Sequence, residues 1–163
     1  MTRTLTFAAA LLLSAITPAG IASAQLNMNA PAKKAYVAYA AEPQTVTANK
    51  PATLELRFQI LSGYHVNSHT PKSEFLIPTA VTLQPAAGVK AGELQYPHGM
   101  PYSFASDPST KLDVYAGTFT VKVPVVASAG QHALDGTLKY QACDNASCYP
   151  PRTVPLKVLF NAK

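Results

Sequence analysis

Residues 52–60, ATLELRFQI, alternate apolar and polar side chains along their whole length. Successive side chains of a β-strand point to opposite faces, so this period of two predicts a half-buried strand. The apolar face of this predicted strand carries Leu54, Leu56, Phe58 and Ile60.

The same alternation recurs in GTFTVKVPV (117–125) and in TVPLKVLF (153–160). Weaker strands are expected at 36–47, 78–84, 90–96 and 133–142. No stretch shows ten residues of helical period between capping residues, and prolines interrupt the chain every few residues. Together these features predict an all-β fold, an immunoglobulin-like antiparallel β-sandwich.

The N-terminus has the pattern of a secretory signal peptide. A basic start at Arg3 precedes an apolar run from Leu5 to Ile16 and a small-residue cleavage site at Ala22–Ala24. That run is too short for a stable membrane span, so we expect a chain that is exported to the periplasm and does not span the membrane after cleavage. The predicted divisions are a signal peptide at 1–24, a flexible leader at 25–35 and one domain at 36–163.

Composition argues against nucleic-acid binding. Without Arg3, twelve Lys and Arg face eight Asp and Glu, a net charge of +4, and the basic residues are dispersed along the chain. Nucleic-acid-binding proteins usually cluster such residues in a stripe or run. We therefore expect no nucleic-acid partner.

Both cysteines of the chain lie in KYQACDNASCYPPRTVPL (139–156), with four residues between them. Export to an oxidising compartment predicts a Cys143–Cys148 disulfide. A disulfide that closes so short a loop adds only about 2 kcal/mol to the free energy of unfolding, whereas one that closes a loop of about a hundred residues adds nearly 5. The polar turn formers between the cysteines predict an exposed hairpin between a strand ending at Ala142 and one beginning near Thr153. Spacing alone leaves two interpretations open, a local structural staple and a redox-active pair.

Two histidines are spaced closely enough to be candidate metal ligands. His65 and His69 stand four residues apart in GYHVNSHTP, and imidazole with sulfur suits zinc or copper. The stretch is typical of a strand that runs into a turn, which places His65 and Asn67 on one face and His69 beyond the strand end. We predict no metal site.

The segment Pro97–Leu112 is the longest without strand character, and we expect an irregular loop there. Such loops in compact domains are usually functional or disordered. The aromatic pair Tyr102 and Phe104 favours an ordered, functional loop.

The cysteine segment resembles the active hairpin of the N-terminal periplasmic domain of the thiol:disulfide interchange protein DsbD. In that family Tyr-Gln-x-Cys begins the pair, Cys-Tyr-Pro-Pro ends it and a Val-Pro-Leu strand follows, as in YQACDNASCYPPRTVPL. SGYHVNSHTP and PHGMPYSF are similar to the family's strand beside the site and to its cap loop. The resemblance covers about residues 37 to 160.

The resemblance implies an oxidoreductase-type thiol:disulfide interchange domain that relays reducing equivalents without a bound cofactor. The implied donor is a membrane electron-donor protein of the DsbD/CcdA type or a thioredoxin-like domain. The implied acceptors are oxidised periplasmic disulfide isomerases or other thiol proteins. The membrane and terminal thioredoxin domains of the family's full-length protein do not follow in this sequence, so a stand-alone domain with a separate donor is expected.

The resemblance also assigns site residues. Cys148 matches the cysteine that forms mixed disulfides with partners, and Cys143 matches its resolving mate. Phe104, with Tyr102, falls where the family has an aromatic cap over the disulfide. The residues expected to flank the site are His65, Asn67, Tyr140, Tyr149 and Pro150.

The sequence departs from the family pattern at three places. Family pairs have five intervening residues where this chain has four, tyrosines can occur at the positions of His65 and Asn67, and extra residues surround SDPST. The alternative from a different functional class is a non-enzymatic immunoglobulin-like binding module whose disulfide only tightens a hairpin.

Overall fold

The computed structural model describes residues 34–163, which form twelve β-strands and no helix. The predicted signal peptide, and all of the predicted leader except Lys34 and Ala35, lie outside this range. The strands are β1 (Val37–Ala40), β2 (Gln44–Val46), β3 (Ala52–Ile60), β4 (His65–Asn67), β5 (Ala80–Leu83), β6 (Val89–Ala91), β7 (Met100–Phe104), β8 (Asp107–Ala116), β9 (Thr118–Ala127), β10 (Gly130–Tyr140), β11 (Ala142–Cys143) and β12 (Arg152–Ala162).

The strands form three four-stranded sheets with the orders β1-β3-β9-β6, β2-β12-β10-β5 and β11-β4-β8-β7. Neighbouring strands are antiparallel except for the parallel pair β2–β12. The predicted immunoglobulin-like β-sandwich is confirmed. The first two sheets supply most of its core, and the third contains Cys143.

The core follows from the alternation seen in the sequence. Along β3, Leu54, Leu56 and Phe58 are fully buried while the polar residues between them are exposed. Strands β9 and β12 alternate in the same way, and their apolar residues join the same cluster. Each large side chain so buried contributes roughly 1.5–3 kcal/mol relative to exposure. This core contains neither cysteine.

The longest ladder joins β10 to β12 and ends at the pair Tyr140–Arg152. The sequence-based bounds of this hairpin need a small correction. The chain leaves the sandwich sheet at Gln141, and β11 then pairs with β4 in the third sheet. The cysteine loop therefore connects β10 and β12, as expected, but Cys143 belongs to a different sheet from either strand.

The expectation of an irregular loop at Pro97–Leu112 was wrong. Most of it is a β-hairpin, in which β7 and β8 meet at a turn of Ala105 and Ser106. Its ladder shifts register between Tyr102 and Phe104, so the extra residues that follow Asp107 lie in a bulge. Pro101 on the edge strand and Pro108 in this bulge obscured the strand pattern, since proline is tolerated in sheets mainly at edges and bulges.

In residues 34–163, no helix is long and apolar enough to cross a bilayer.

Candidate functional site

The two cysteine residues of the disulfide differ in their exposure. Cys143 and Cys148 are bonded, with their Cα atoms 3.9 Å apart. Cys143 is 0% exposed in the ladder with β4, whereas Cys148 is exposed after the turn. The backbone N–H of Tyr149 donates to Ala142 O at 2.8 Å and closes the base of the loop. Of the two bonded cysteines, Cys148 therefore lies at the surface and Cys143 lies in the interior.

The turn between the cysteines is organised by the side chain of Asp144. Its Oδ1 accepts the backbone N–H groups of Ala146 at 2.8 Å and Ser147 at 2.9 Å. Its Oδ2 accepts the hydroxyl of Tyr149 at 2.5 Å. The bond from Tyr149, followed by the two backbone bonds, lowers the pKa of Asp144 to about 2. The same carboxylate raises the pKa of Tyr149 to about 12, so the bond persists across the physiological range.

Tyr149 also belongs to an aromatic cluster that the sequence analysis missed. Its ring centroid is 5.0 Å from that of Tyr36 and 6.0 Å from that of Tyr64. Lys34 donates to the Tyr64 hydroxyl at 2.7 Å, and the Arg152 guanidinium lies 5.2 Å from the Tyr36 ring centroid. The cluster fixes the C-terminal side of the cysteine loop to the start of the domain.

The aromatic pair of the β7–β8 hairpin lies beside the cysteine loop. The Tyr102 hydroxyl donates to Asn145 Oδ1 at 3.1 Å, so Tyr102 bonds directly to the turn between the cysteines. Its ring centroid is 4.0 Å from that of His65. Phe104 packs edge-on against Tyr102 at 5.5 Å and lies 6.1 Å from the His65 ring. The structure thus brings both predicted cap residues to the site, Tyr102 by direct contact and Phe104 through its neighbours.

His65 lies directly opposite Cys143 in the β4–β11 ladder. Its side chain is buried, and its Nε2 has no hydrogen-bond partner. Burial lowers the pKa of His65, and the nearby Asp144 carboxylate opposes that shift without cancelling it. The imidazole is therefore neutral at pH 7.

Asn67 is buried but bonds away from the cysteines. Its Nδ2 donates to Ile77 O at 3.0 Å and to Gln141 Oε1 at 3.2 Å. Gln141 Nε2 in turn donates to Tyr149 O at 3.2 Å. These hydrogen bonds connect Asn67, through Gln141 at the change of sheet, to Tyr149 in the cysteine loop. Asn67 therefore supports the loop without contacting the disulfide through these bonds.

The two other predicted flanking residues occupy different environments. Tyr140 is fully buried in the core at the end of β10, whereas Pro150 is exposed directly after Tyr149. Tyr140 is thus a core residue that precedes the loop, and Pro150 is a surface residue that follows Cys148 and Tyr149.

The two candidate metal-ligating histidines contact different residues. His69 Nδ1 lies 3.0 Å from Thr79 O, and its ring stacks on Tyr96 at 3.6 Å, while His65 packs against Tyr102. Among residues 34–163 no group of three or more His, Cys, Asp or Glu side chains could hold a metal ion. A surface groove of about 430 Å³ is lined by parts of β2, β10 and β12 and includes neither cysteine.

Comparison with protein families gives a match over most of the chain. The model of the family described as "Thiol:disulfide interchange protein DsbD, N-terminal" matches residues 31–159. No curated protein matches the sequence significantly.

Three solved structures are similar in part. The Neisseria meningitidis DsbD N-terminal domain in its reduced form is 21% identical, with a TM-score of 0.45, over 66% of this chain and 77% of that one. The N-terminal periplasmic domain of ScsB from Proteus mirabilis is 12% identical, with a TM-score of 0.49, over 75% of this chain and 44% of that one. A complex of the DsbD and PilB N-terminal domains from Neisseria meningitidis matches at 20% identity, with a TM-score of 0.44, over 64% of this chain and 73% of that one.

The bond from Tyr149 to Asp144 predicts a measurable pH dependence. Because the folded pKa of Asp144, about 2, is below its ordinary 3.8, the carboxylate stabilises the fold above pH 3.8. That contribution is lost as the pH falls towards 2. Tyr149→Phe removes the largest cause of the shift, so the Asp144 pKa should rise towards 3.8 in a carboxyl-resonance NMR titration.

Tyr64→Phe is the matched control, since Tyr64 lies in the same aromatic cluster but does not bond to Asp144. It should leave the Asp144 pKa near 2. An unchanged Asp144 pKa in Tyr149→Phe would show that the tyrosine does not hold the turn through this carboxylate.

Proposed function

We propose, because this chain belongs to the family of the N-terminal domain of the thiol:disulfide interchange protein DsbD, that its Cys143–Cys148 pair exchanges disulfides with other thiol proteins. In the reducing direction, a thioredoxin-like donor passes two electrons to the pair. The pair then reduces a disulfide in an exported protein. The predicted signal peptide supports the periplasm as the compartment where this takes place.

The unequal burial of the two sulfurs is the observation that carries the proposal. Thiol–disulfide exchange needs one sulfur that an incoming partner can approach and a second sulfur nearby that resolves the mixed disulfide. The exposed Cys148 meets the first requirement, and the buried Cys143, bonded to it, meets the second.

In the reducing direction, exchange at the pair takes two successive attacks. The Cys148 thiolate attacks one sulfur of the acceptor disulfide, which forms a mixed disulfide and releases the acceptor's other sulfur as a thiolate. The Cys143 thiol then loses its proton and attacks Cys148 Sγ. This restores the Cys143–Cys148 disulfide and releases the second acceptor sulfur. The acceptor gains two electrons and two protons.

The local structure supports a bridge that opens and closes on an intact fold. The cysteine loop is held by the Asp144 carboxylate, the Tyr149 ring and backbone bonds, none of which requires the sulfur–sulfur bond. The bridge closes a short loop, so its loss costs only about 2 kcal/mol in the chain-entropy model.

The aromatic pair is proposed as a cap that limits access to the bridge. Tyr102 is bonded to Asn145 in the cysteine turn, and Phe104 packs on Tyr102. A docking partner would displace these rings, whereas a small thiol would have to diffuse past them, as with lids at other reactive sites.

Replacing one cysteine at a time tests the assignment of roles. When each variant is exported in a bacterium and thiols are blocked in acid, Cys143→Ser should accumulate mixed disulfides that dithiothreitol removes, seen on non-reducing gels. Cys148→Ser should accumulate none, because Cys143 is buried. Equal adducts in both variants, or none in a folded Cys143→Ser, would contradict the proposal and favour a binding module with a structural bridge.

Removing the cap tests its shielding role. Phe104→Ala should raise the rate at which glutathione reduces the bridge, by a few-fold or more, because the ring no longer covers the approach. Since Phe104 is only half-buried, its loss should cost less than the roughly 3–5 kcal/mol typical of a core phenylalanine. Tyr102→Phe, which removes the bond to Asn145, should act in the same direction.

Phe75→Ala is the matched control, because this phenylalanine is 86% exposed on the segment between β4 and β5. It should leave the reduction rate unchanged. An unaltered rate in folded Phe104→Ala and Tyr102→Phe would end the cap proposal.

A further inference from the structure

His65 is placed where its ring can act on Cys143. The two residues are direct partners in the antiparallel β4–β11 ladder. Side chains of such partners lie on the same face of the sheet, with Cβ atoms about 4.5–5.5 Å apart. The centroid distance of 4.0 Å to Tyr102 shows that the imidazole also packs against the aromatic pair.

The unpartnered Nε2 of His65 calls for an explanation. Buried polar atoms are nearly always hydrogen-bonded, and an exception is costly unless it serves a purpose. Several buried side-chain atoms in residues 34–163 have no hydrogen-bond partner. Among them, His65 Nε2 is the atom that can take up a proton near neutral pH. The other unpartnered buried atoms are Asn67 Oδ1, Ser68 Oγ, Tyr140 OH and Arg152 Nε.

Cys143 needs a proton acceptor that water cannot supply. The thiolate, not the thiol, attacks the mixed disulfide. Complete burial disfavours the charged thiolate and keeps solvent from the sulfur. The neighbouring Asp144 carboxylate disfavours a second negative charge in the same place and already accepts three hydrogen bonds.

We propose that His65 is the base that takes the proton from Cys143 when this cysteine resolves the mixed disulfide on Cys148. The proton moves from Cys143 Sγ to the imidazole, a bond forms between Cys143 Sγ and Cys148 Sγ, and the bond from Cys148 to the partner breaks. The partner leaves as a thiolate, and the imidazolium then gives up its proton to the leaving thiolate or to solvent. This step deepens the proposed exchange function and rests on it.

The other titratable groups around His65 are already engaged. From β7, the Tyr102 hydroxyl donates to Asn145. From β8, the residue opposite His65 is Ala116, which does not titrate. From the cysteine loop, Asp144 is the charged group that acts on the imidazole, and burial still keeps the His65 pKa below 6.5. The imidazole is therefore an available neutral acceptor at pH 7.

The two attacks can be separated with 5,5′-dithiobis(2-nitrobenzoate) added to the reduced domain in stopped flow. The first attack, by Cys148, releases one nitrothiobenzoate. The second, by Cys143 on the mixed disulfide, releases another, and both are followed by absorbance. His65→Phe keeps an aromatic ring against Tyr102 but removes the base, and His65→Gln provides the same test should the phenylalanine variant not fold.

In the wild type, the rate of the second phase should rise with pH and reach a plateau above the pKa of His65. Because burial lowers that pKa, the rise should be centred below pH 6.5. In the variants it should be slower by about 100-fold at pH 7, a typical contribution of a positioned base. Their rate should keep rising with hydroxide concentration, so that the difference from the wild type shrinks at high pH. The first phase should be unchanged, and His132→Gln, a histidine on β10 that bonds to Ser128 O, should match the wild type in both phases.

A second phase with the wild-type rate and pH profile in a folded His65 variant would overturn this role. Slowing by the same factor at every pH would also overturn it, because that result indicates altered packing and no lost base. The failure of the exchange function itself gives a different result, the absence of the first phase in the wild type.

Discussion

The pairing of β11 with β4 determines how both sulfurs are presented. After Tyr140 the chain leaves the sandwich sheet, and two residues of β11 are enough to bury Cys143 in a ladder opposite His65. The polar turn that follows returns the chain to β12 and leaves Cys148 at the surface. One short change of sheet thus produces a pair with one exposed and one buried cysteine, and the positions of the proposed cap, the proposed base and the supporting tyrosines depend on it.

Stability and reactivity are separated in this architecture. Most of the core cluster comes from β3, β9, β10 and β12, and Cys143, although fully buried beside it, is not a member of that cluster. The loop has its own support in Asp144, whose low pKa keeps the carboxylate charged and hydrogen-bonded at any pH above about 4. Such a bridge contributes little to a fold with an independent core, which fits the proposed cycle of reduction and reoxidation at an intact site.

Much of this structure could be predicted from local sequence patterns. The strand Ala52–Ile60 was predicted with its exact ends, and β9 and β12 nearly so, because alternation reports directly on a half-buried strand. The β7–β8 hairpin was missed because prolines such as Pro101 and Pro108 usually indicate loops. An edge strand and a bulge tolerate both of them. The tyrosine cluster and the opposition of His65 to Cys143 depend on the register between distant segments. No local pattern carries that register, so these features required the structure.

The central claim is that the Cys143–Cys148 bridge is an exchangeable redox pair on a fold that stands without it. The reduction potential of the bridge tests this claim most directly. It is measured by equilibrating the domain with thioredoxin at defined ratios of oxidised to reduced thioredoxin and then quantifying the blocked thiols of the domain. The account predicts a potential above about −300 mV, within reach of thioredoxin-like donors near −270 mV. A potential well below −300 mV would place the bridge among structural disulfides and would contradict the account.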